Sequence, residues 1–176
     1  MAAVRHVSMV AKQSRQEIVR TFVEREASDL LAYFVRRTES AEDAADMLSE
    51  TLLVIWRREG FIPSDATEAR MWMFGVARKV LSGHRRTRSR QAALRTRLAD
   101  ELTITQVDAS EPWVDEVRAA ISQLAEIDRE IMRLVYWDGF SLGQTAQILR
   151  MRPGTVRSRH HRARARMREL LGEDES

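Results

Sequence analysis

The chain has 176 residues, 44% of them apolar, enough for one packed core or two small ones, and its low aromatic, glycine and proline content favours helix over strand. The absence of cysteine excludes a disulfide scaffold and thiolate metal sites, and no apolar run approaches membrane-spanning length. A net charge of +3 hides a segregation by sign: only acids lie between Arg37 and Arg57, and only bases lie between Glu68 and Asp100 and between Asp138 and Glu169.

The opening residues 1–15 lack periodicity and a signal-peptide pattern, so they are expected to be disordered and the protein cytoplasmic, without membrane insertion. From about Gln16 to Arg37, Ile18, Val19, Phe22, Val23, Leu30, Leu31, Phe34 and Val35 recur at helical spacing. Ser40 is placed to cap a second helix, with Glu42 and Asp43 at its positive end, running to about Arg58 before Gly60. Its inner face reads as Ala45, Leu48, Leu52 and Ile55. The outer face then carries Asp43, Asp46, Glu50, Leu53 and Val54, a pattern suited to a basic partner helix or to ordinary solvation.

After the loop "FIPSDATEA", the segment 70–86 reads as a helix with Trp72, Met73, Val76 and Val80 inward. Phe74, Arg78, Leu81 and Arg85 then face outward. An exposed aromatic among arginines suits single-stranded nucleic acid, although Phe74 could equally pack against a neighbouring helix. Residues 89–113 read as a linker or as partly helical, and a second domain follows over 114–171. In it, helices end near Leu124 and Trp137. Gly139 then closes one helix, while Ser141 with Gln144 forms a capping box for the next.

The last helix, opened by Thr155, carries "RPGTVRSRHHRARARMR", with seven arginines, two histidines and no acid. Val156, Ala163, Met167 and Leu170 fall on one stripe at about 100° per residue, which turns Gly154, Ser158, His161, Arg162 and Ala165 outward with Arg157 on the flank. Two short helices, a tight turn and a basic second helix make a helix-turn-helix. The small outward residues let its backbone approach a groove, and the arginines can meet phosphate or guanine. His160 and His161 point about 100° apart with no second ligand cluster, which argues against a metal site, and His160 reads as a packed edge residue. No nucleophile–base pair or phosphate-binding glycine loop suggests an enzyme, and no cofactor is implied. A dimeric helix-turn-helix regulator is the alternative, but it leaves the acidic and aromatic-basic helices without a role.

Three segments carry a resemblance: "SAEDAADMLSETLLVIWRR", "ARMWMFGVARKVLSGHRR" and "LAEIDREIMRLVYWDGFSLGQTAQILRMRPGTVRSRHHRARARMREL". Together they resemble the bacterial extracytoplasmic-function (ECF) sigma factors, small promoter-specificity subunits of RNA polymerase. The resemblance implies an all-α chain of two small helical domains joined by a flexible linker, with sigma region 2 at 16–88 and sigma region 4 at 114–171. It implies that Asp43, Asp46, Glu50, Leu53 and Val54 face the polymerase core at its beta-prime clamp helices. Phe74, Arg78, Lys79 and Arg85, with the loop Gly60 to Thr67, would hold unpaired minus-10 bases. Thr155, Arg157, Ser158, His161 and Arg162 would enter the minus-35 major groove. The partners so implied are RNA polymerase core, including the beta flap, promoter DNA both duplex and single-stranded, and an anti-sigma factor. Three positions depart from the family pattern. Lys79 replaces a usual asparagine, which suggests phosphate contact; Arg150 replaces a usual turn glycine; and His160 replaces a usual aliphatic.

Overall fold

A computed structural model describes the backbone of residues 2–96 and 112–172 and the side chains of 17, 20–89 and 116–172. All secondary structure among these residues is helical, in two separate units divided near residue 98. In the first unit, α1 (Ala2–Val35) contains neither glycine nor proline, so nothing interrupts the helix once its packed second half has formed. Its backbone is therefore helical over most of 1–15, where disorder was expected. The helix α2 (Ala41–Arg57) starts as expected at Ser40, whose hydroxyl accepts from the Asp43 amide at 3.1 Å. A 3₁₀ turn, Glu59–Phe61, follows it.

The helix α3 (Ala66–Thr96) begins four residues before the expected start, because Asp65 supplies a cap: its carboxylate accepts from the Glu68 amide at 2.9 Å. It also runs on into the segment read as linker. Residues 97–111 of that linker lie outside the described residues, and its last two, Pro112 and Trp113, belong to the next helix.

The three helices pack around Leu30, Tyr33, Phe34, Ala44, Met47, Ile55, Ala69, Met73, Phe74 and Ala77, all but fully buried. Tyr33 meets Phe34 and Phe74 edge to face, with centroids 5.3 and 5.5 Å away. Arg70 closes the rim: it pairs with Glu26 and, at 2.9 Å, with Asp29 of α1, and its guanidinium lies over Phe74.

The second unit packs α4 (Pro112–Ser122), α5 (Glu126–Tyr136) and α6 (Leu142–Leu149) against α7 (Pro153–Leu171). Ser141 and Gln144 form the expected capping box, their side chains and amides exchanging bonds of 3.2 and 2.8 Å. Gly139 adopts φ +73° in the turn before it. The α6–α7 turn passes through Arg150, which is left-handed at φ 54°, and the Met151 amide reaches back to the Ala146 carbonyl at 2.9 Å. Pro153, not Thr155, opens α7: its fixed φ suits the first helical position, where no amide proton is needed. Val156, Ala163 and Met167 are buried, and one cluster joins the last two to Ala120, Ile121, Leu124 and Met132.

Arg150 holds a backbone conformation that costs a residue with a Cβ roughly 1–2 kcal/mol, against a smaller entropic cost for glycine. Arg150→Gly is expected to stabilise the second unit by about 0.5–1 kcal/mol, read from hydrogen exchange of the α6 and α7 amides.

Candidate nucleic-acid interface

The candidate surface of the second unit is the outer side of α7. Because Val156, Ala163 and Met167 point into the core, Gly154, Thr155, Arg157, Ser158, His161 and Arg162 are all exposed, and Ala165 is half-buried. A Cβ added at Gly154 would meet nothing within 4 Å, so open space lies in front of the helix start. Ser158 donates to the Thr155 carbonyl at 3.1 Å, which holds its hydroxyl against the helix. Arg157 and Arg162 meet no acid among the described residues, leaving their guanidinium donors for a ligand. This face presents donors and small side chains on one rigid element, as insertion into a major groove requires.

His160 sits apart from that face. Its ring stacks on Tyr136 at 5.8 Å, and Nε2 lies 3.2 Å from the Tyr136 hydroxyl. Burial, and then the charges of Arg164 and His161, push its pKa below the ordinary histidine value, so the ring is neutral at neutral pH. It links α5 and α7 at their surface through this contact.

The face of α3 differs from expectation at its aromatic. Phe74 is fully buried against Tyr33 and beneath Arg70, and cannot stack on a base without leaving the core. The reason is the width of the buried side. Since α3 packs against both α1 and α2, Ala69, Met73, Phe74, Val76, Ala77, Val80 and Leu81 are all buried, a stripe of about 160° rather than a single face. Leu81, expected outside, is buried for the same reason. Trp72, expected inside, is half-buried at the opposite edge.

What remains outward on α3 is Arg78, half-buried, with Lys79, Arg85 and Arg86 exposed around Gly75, Ser82 and Gly83. A Cβ at either glycine would meet nothing within 4 Å. The loop from Gly60 to Thr67 leads into this helix, with Phe61 77% exposed in it. Of the aromatics here, Trp72 was read as an inward residue and is half-buried, while the exposed Phe61 lies in the Gly60–Thr67 loop already expected to hold unpaired bases.

On α2 the buried residues are Ala44, Met47, Thr51 and Ile55. The core line is therefore shifted by one position from Ala45, which is exposed, and from Leu48 and Leu52, which are half-buried. Asp46 and Glu50 are exposed, Leu53 is 56% exposed, and Val54 is half-buried. Trp56, one turn beyond Leu53, is 50% exposed and joins this face; its spacing from Leu53 was the available signal. Asp43 is already engaged: Arg88 of α3 reaches it at 3.4 Å and Glu39 at 2.8 Å, and His84 lies 3.8 Å away. Among the described residues, the acids of α2 without such a bridge are Glu42, Asp46 and Glu50, and the last two lie on the face with Leu53.

Comparison with known proteins places both surfaces in one context. Residues 22–91 match the model for sigma-70 region 2, and residues 115–167 match the model for sigma-70 region 4. The chain is 31% identical over 172 residues to the ECF RNA polymerase sigma factor SigL of Mycobacterium tuberculosis, covering 93% of this chain and 94% of the relative. It is 30% identical over 144 residues to the ECF RNA polymerase sigma factor EcfG of Rhodopseudomonas palustris, covering 81% and 78%. In fold it is similar to the sigma factor RpoE in its complex with the anti-sigma factor NepR from Bartonella quintana, with TM-score 0.71 at 23% identity over 89% of this chain and 98% of that one. A second similar fold is that of CnrH in complex with the cytosolic domain of CnrY, with TM-score 0.64 at 21% identity over 95% and 97% of the two chains.

The burial of Phe74 has a direct consequence. Phe74→Ala is expected to destabilise the first unit by about 3–5 kcal/mol in thermal or denaturant unfolding. A base-stacking phenylalanine on the surface would instead leave stability within about 0.5 kcal/mol of the parent.

Proposed function

Because the chain belongs to the sigma-70 family, and within it to the ECF RNA polymerase sigma factors, we propose a division of labour among its three charged faces. As an alternative sigma factor the protein works with RNA polymerase core and directs transcription initiation at promoters; what each residue does in that task is the reading that follows.

Asp46, Glu50, Leu53 and Val54, extended by Trp56, form the docking face for a basic helical element of the core, the clamp helices of its largest subunit. Charge steers the approach, and the exposed aliphatic and aromatic side chains lose water on contact. Asp43 serves the same face less directly, since Arg88 and His84 already engage it. Arg78, Lys79 and Arg85 line the minus-10 face. There the cations hold the backbone of the unpaired strand, and Trp72 with the Gly60–Thr67 loop supplies apolar surface for its bases. Phe74 supports this face from the core. Lys79, exposed on a basic helix, suits phosphate rather than base-specific contact. Thr155, Arg157, Ser158, His161 and Arg162 enter the minus-35 major groove. Sigma region 2 then occupies 16–88 and region 4 occupies 114–171, with 89–113 joining them, its first residues continuing α3 to Thr96 and its last two opening α4.

The observation that carries this reading is the pairing, in one chain, of an acidic-apolar helix face with two basic faces on other helices. A dimeric regulator needs only the last of these. The protein has no catalysis of its own in this reading, acts in the cytoplasm, and is held in check by an anti-sigma factor, the kind of partner seen with RpoE, whose fold it shares.

The test adds the purified chain to sigma-free polymerase core and asks for promoter-dependent transcripts, which a regulator that binds duplex DNA alone does not produce. In the same assay format, Arg162→Ala should relax recognition at one minus-35 step at a cost of about 1–3 kcal/mol. Uniform weakening on every sequence would assign Arg162 to phosphate.

A further inference from the structure

Arg159 is the exception among the cations at the start of α7. It lies on the flank between the buried line of Val156 and Ala163 and the exposed Thr155 and Arg162. Its Nη1 donates to Oδ1 of Asp128 at 2.9 Å, and both side chains are partly sheltered, with 32% of Arg159 and 20% of Asp128 exposed. Asp128 belongs to the first turn of α5, where the positive end of the helix favours its charge. Arg157, Arg162 and Arg164 have no such acid among the described residues. A charge-assisted, half-sheltered pair of this kind holds better than an exposed one.

We propose that Asp128 is a positioning residue for promoter binding: it holds Arg159 against α5 and thereby removes one phosphate contact from sequence-independent DNA binding. The proposal rests on the reading that α7 enters the major groove. Given that placement, the flank carrying Arg159 and Arg162 faces a groove wall, where an unrestrained guanidinium meets phosphate. Phosphate contacts carry no sequence information, and each adds to affinity for any duplex. Without the Asp128 carboxylate, a chain this rich in arginine gains one more such contact on every duplex it meets. With the carboxylate in place, a larger share of the affinity of α7 comes from the residues that face base edges.

The test measures binding of the full chain to a mixed-sequence duplex across a range of salt concentrations. Each phosphate contact contributes about 0.9 to the slope of log affinity against log salt. Asp128→Asn should steepen the slope by about 0.9, the double variant Asp128→Asn/Arg159→Ala should restore the parental slope, and Asp128→Glu should keep it. Arg159→Ala alone should leave the slope unchanged. That variant decides the matter even where Asp128→Asn fails to fold: a slope flattened by about 0.9 means that Arg159 already touches phosphate, and overturns the proposal. An unchanged slope in folded Asp128→Asn overturns it equally. Arg157→Ala and Arg162→Ala separate this failure from failure of the groove reading. If either flattens the slope or relaxes recognition of promoter DNA, α7 lies on DNA whatever Asp128 does; if neither variant changes the slope or promoter binding, α7 is not in the groove and both ideas fall.

Discussion

A helix that buries one side in a small core must carry its charges on the other, and on α2, α3 and α7 that remaining side is dominated by one sign. That constraint turns a nearly neutral protein into one with distinct acidic and basic surfaces. On α2 the burial of Ala44, Met47, Thr51 and Ile55 leaves Asp46 and Glu50 outside. On α3 a wide buried stripe leaves mainly Lys79, Arg85 and Arg86, and on α7 the line Val156, Ala163 and Met167 leaves Arg157 and Arg162. The cores therefore select which charges are presented, and the partners follow from the charges.

Internal ion pairs then refine that selection. Arg70 is used to close the α1–α3 contact through Glu26 and Asp29. Arg88 spends its donors on Glu39 and Asp43 at the start of α2, an exposed bridge that contributes little to stability but ties the end of the basic helix to the acidic one. Arg159 is engaged by Asp128. Each of these arginines belongs by sequence to a basic run, yet each is engaged inside the fold. The surfaces available to a partner are consequently narrower than the runs suggest: chiefly Arg78 and Lys79 on one unit, and the exposed start of α7 on the other.

Much of this was legible in the sequence because it is local. Ser40 and the Ser141–Gln144 pair cap their helices as their spacing dictates, and the α7 stripe needs only the helical repeat. The left-handed Arg150 follows from its place in a tight turn. What the sequence concealed is set by neighbours in space. Phe74 reads as outward only if α3 has one buried face, and the second face exists because α1 and α2 flank it on two sides. The core line of α2 fell one position from expectation because Leu48 and Leu52 are more apolar than Ala44 and Thr51, yet the packing takes the smaller pair. Small side chains at a helix–helix contact allow close approach, which a ranking by hydrophobicity alone does not register. The helical backbone of α1 near its start arises from what is missing, since no breaker stops propagation.

The central claim is that the sign of each exposed helix face chooses the class of macromolecule that covers it. Photo-crosslinking in one assembled initiation complex tests it most directly, with the reactive side chain placed in turn at Leu53, Ser82 and His161. The account predicts that Leu53 joins the largest polymerase subunit, while Ser82 and His161 join promoter DNA. Attachment of Leu53 to DNA, or of His161 to polymerase alone, would contradict it.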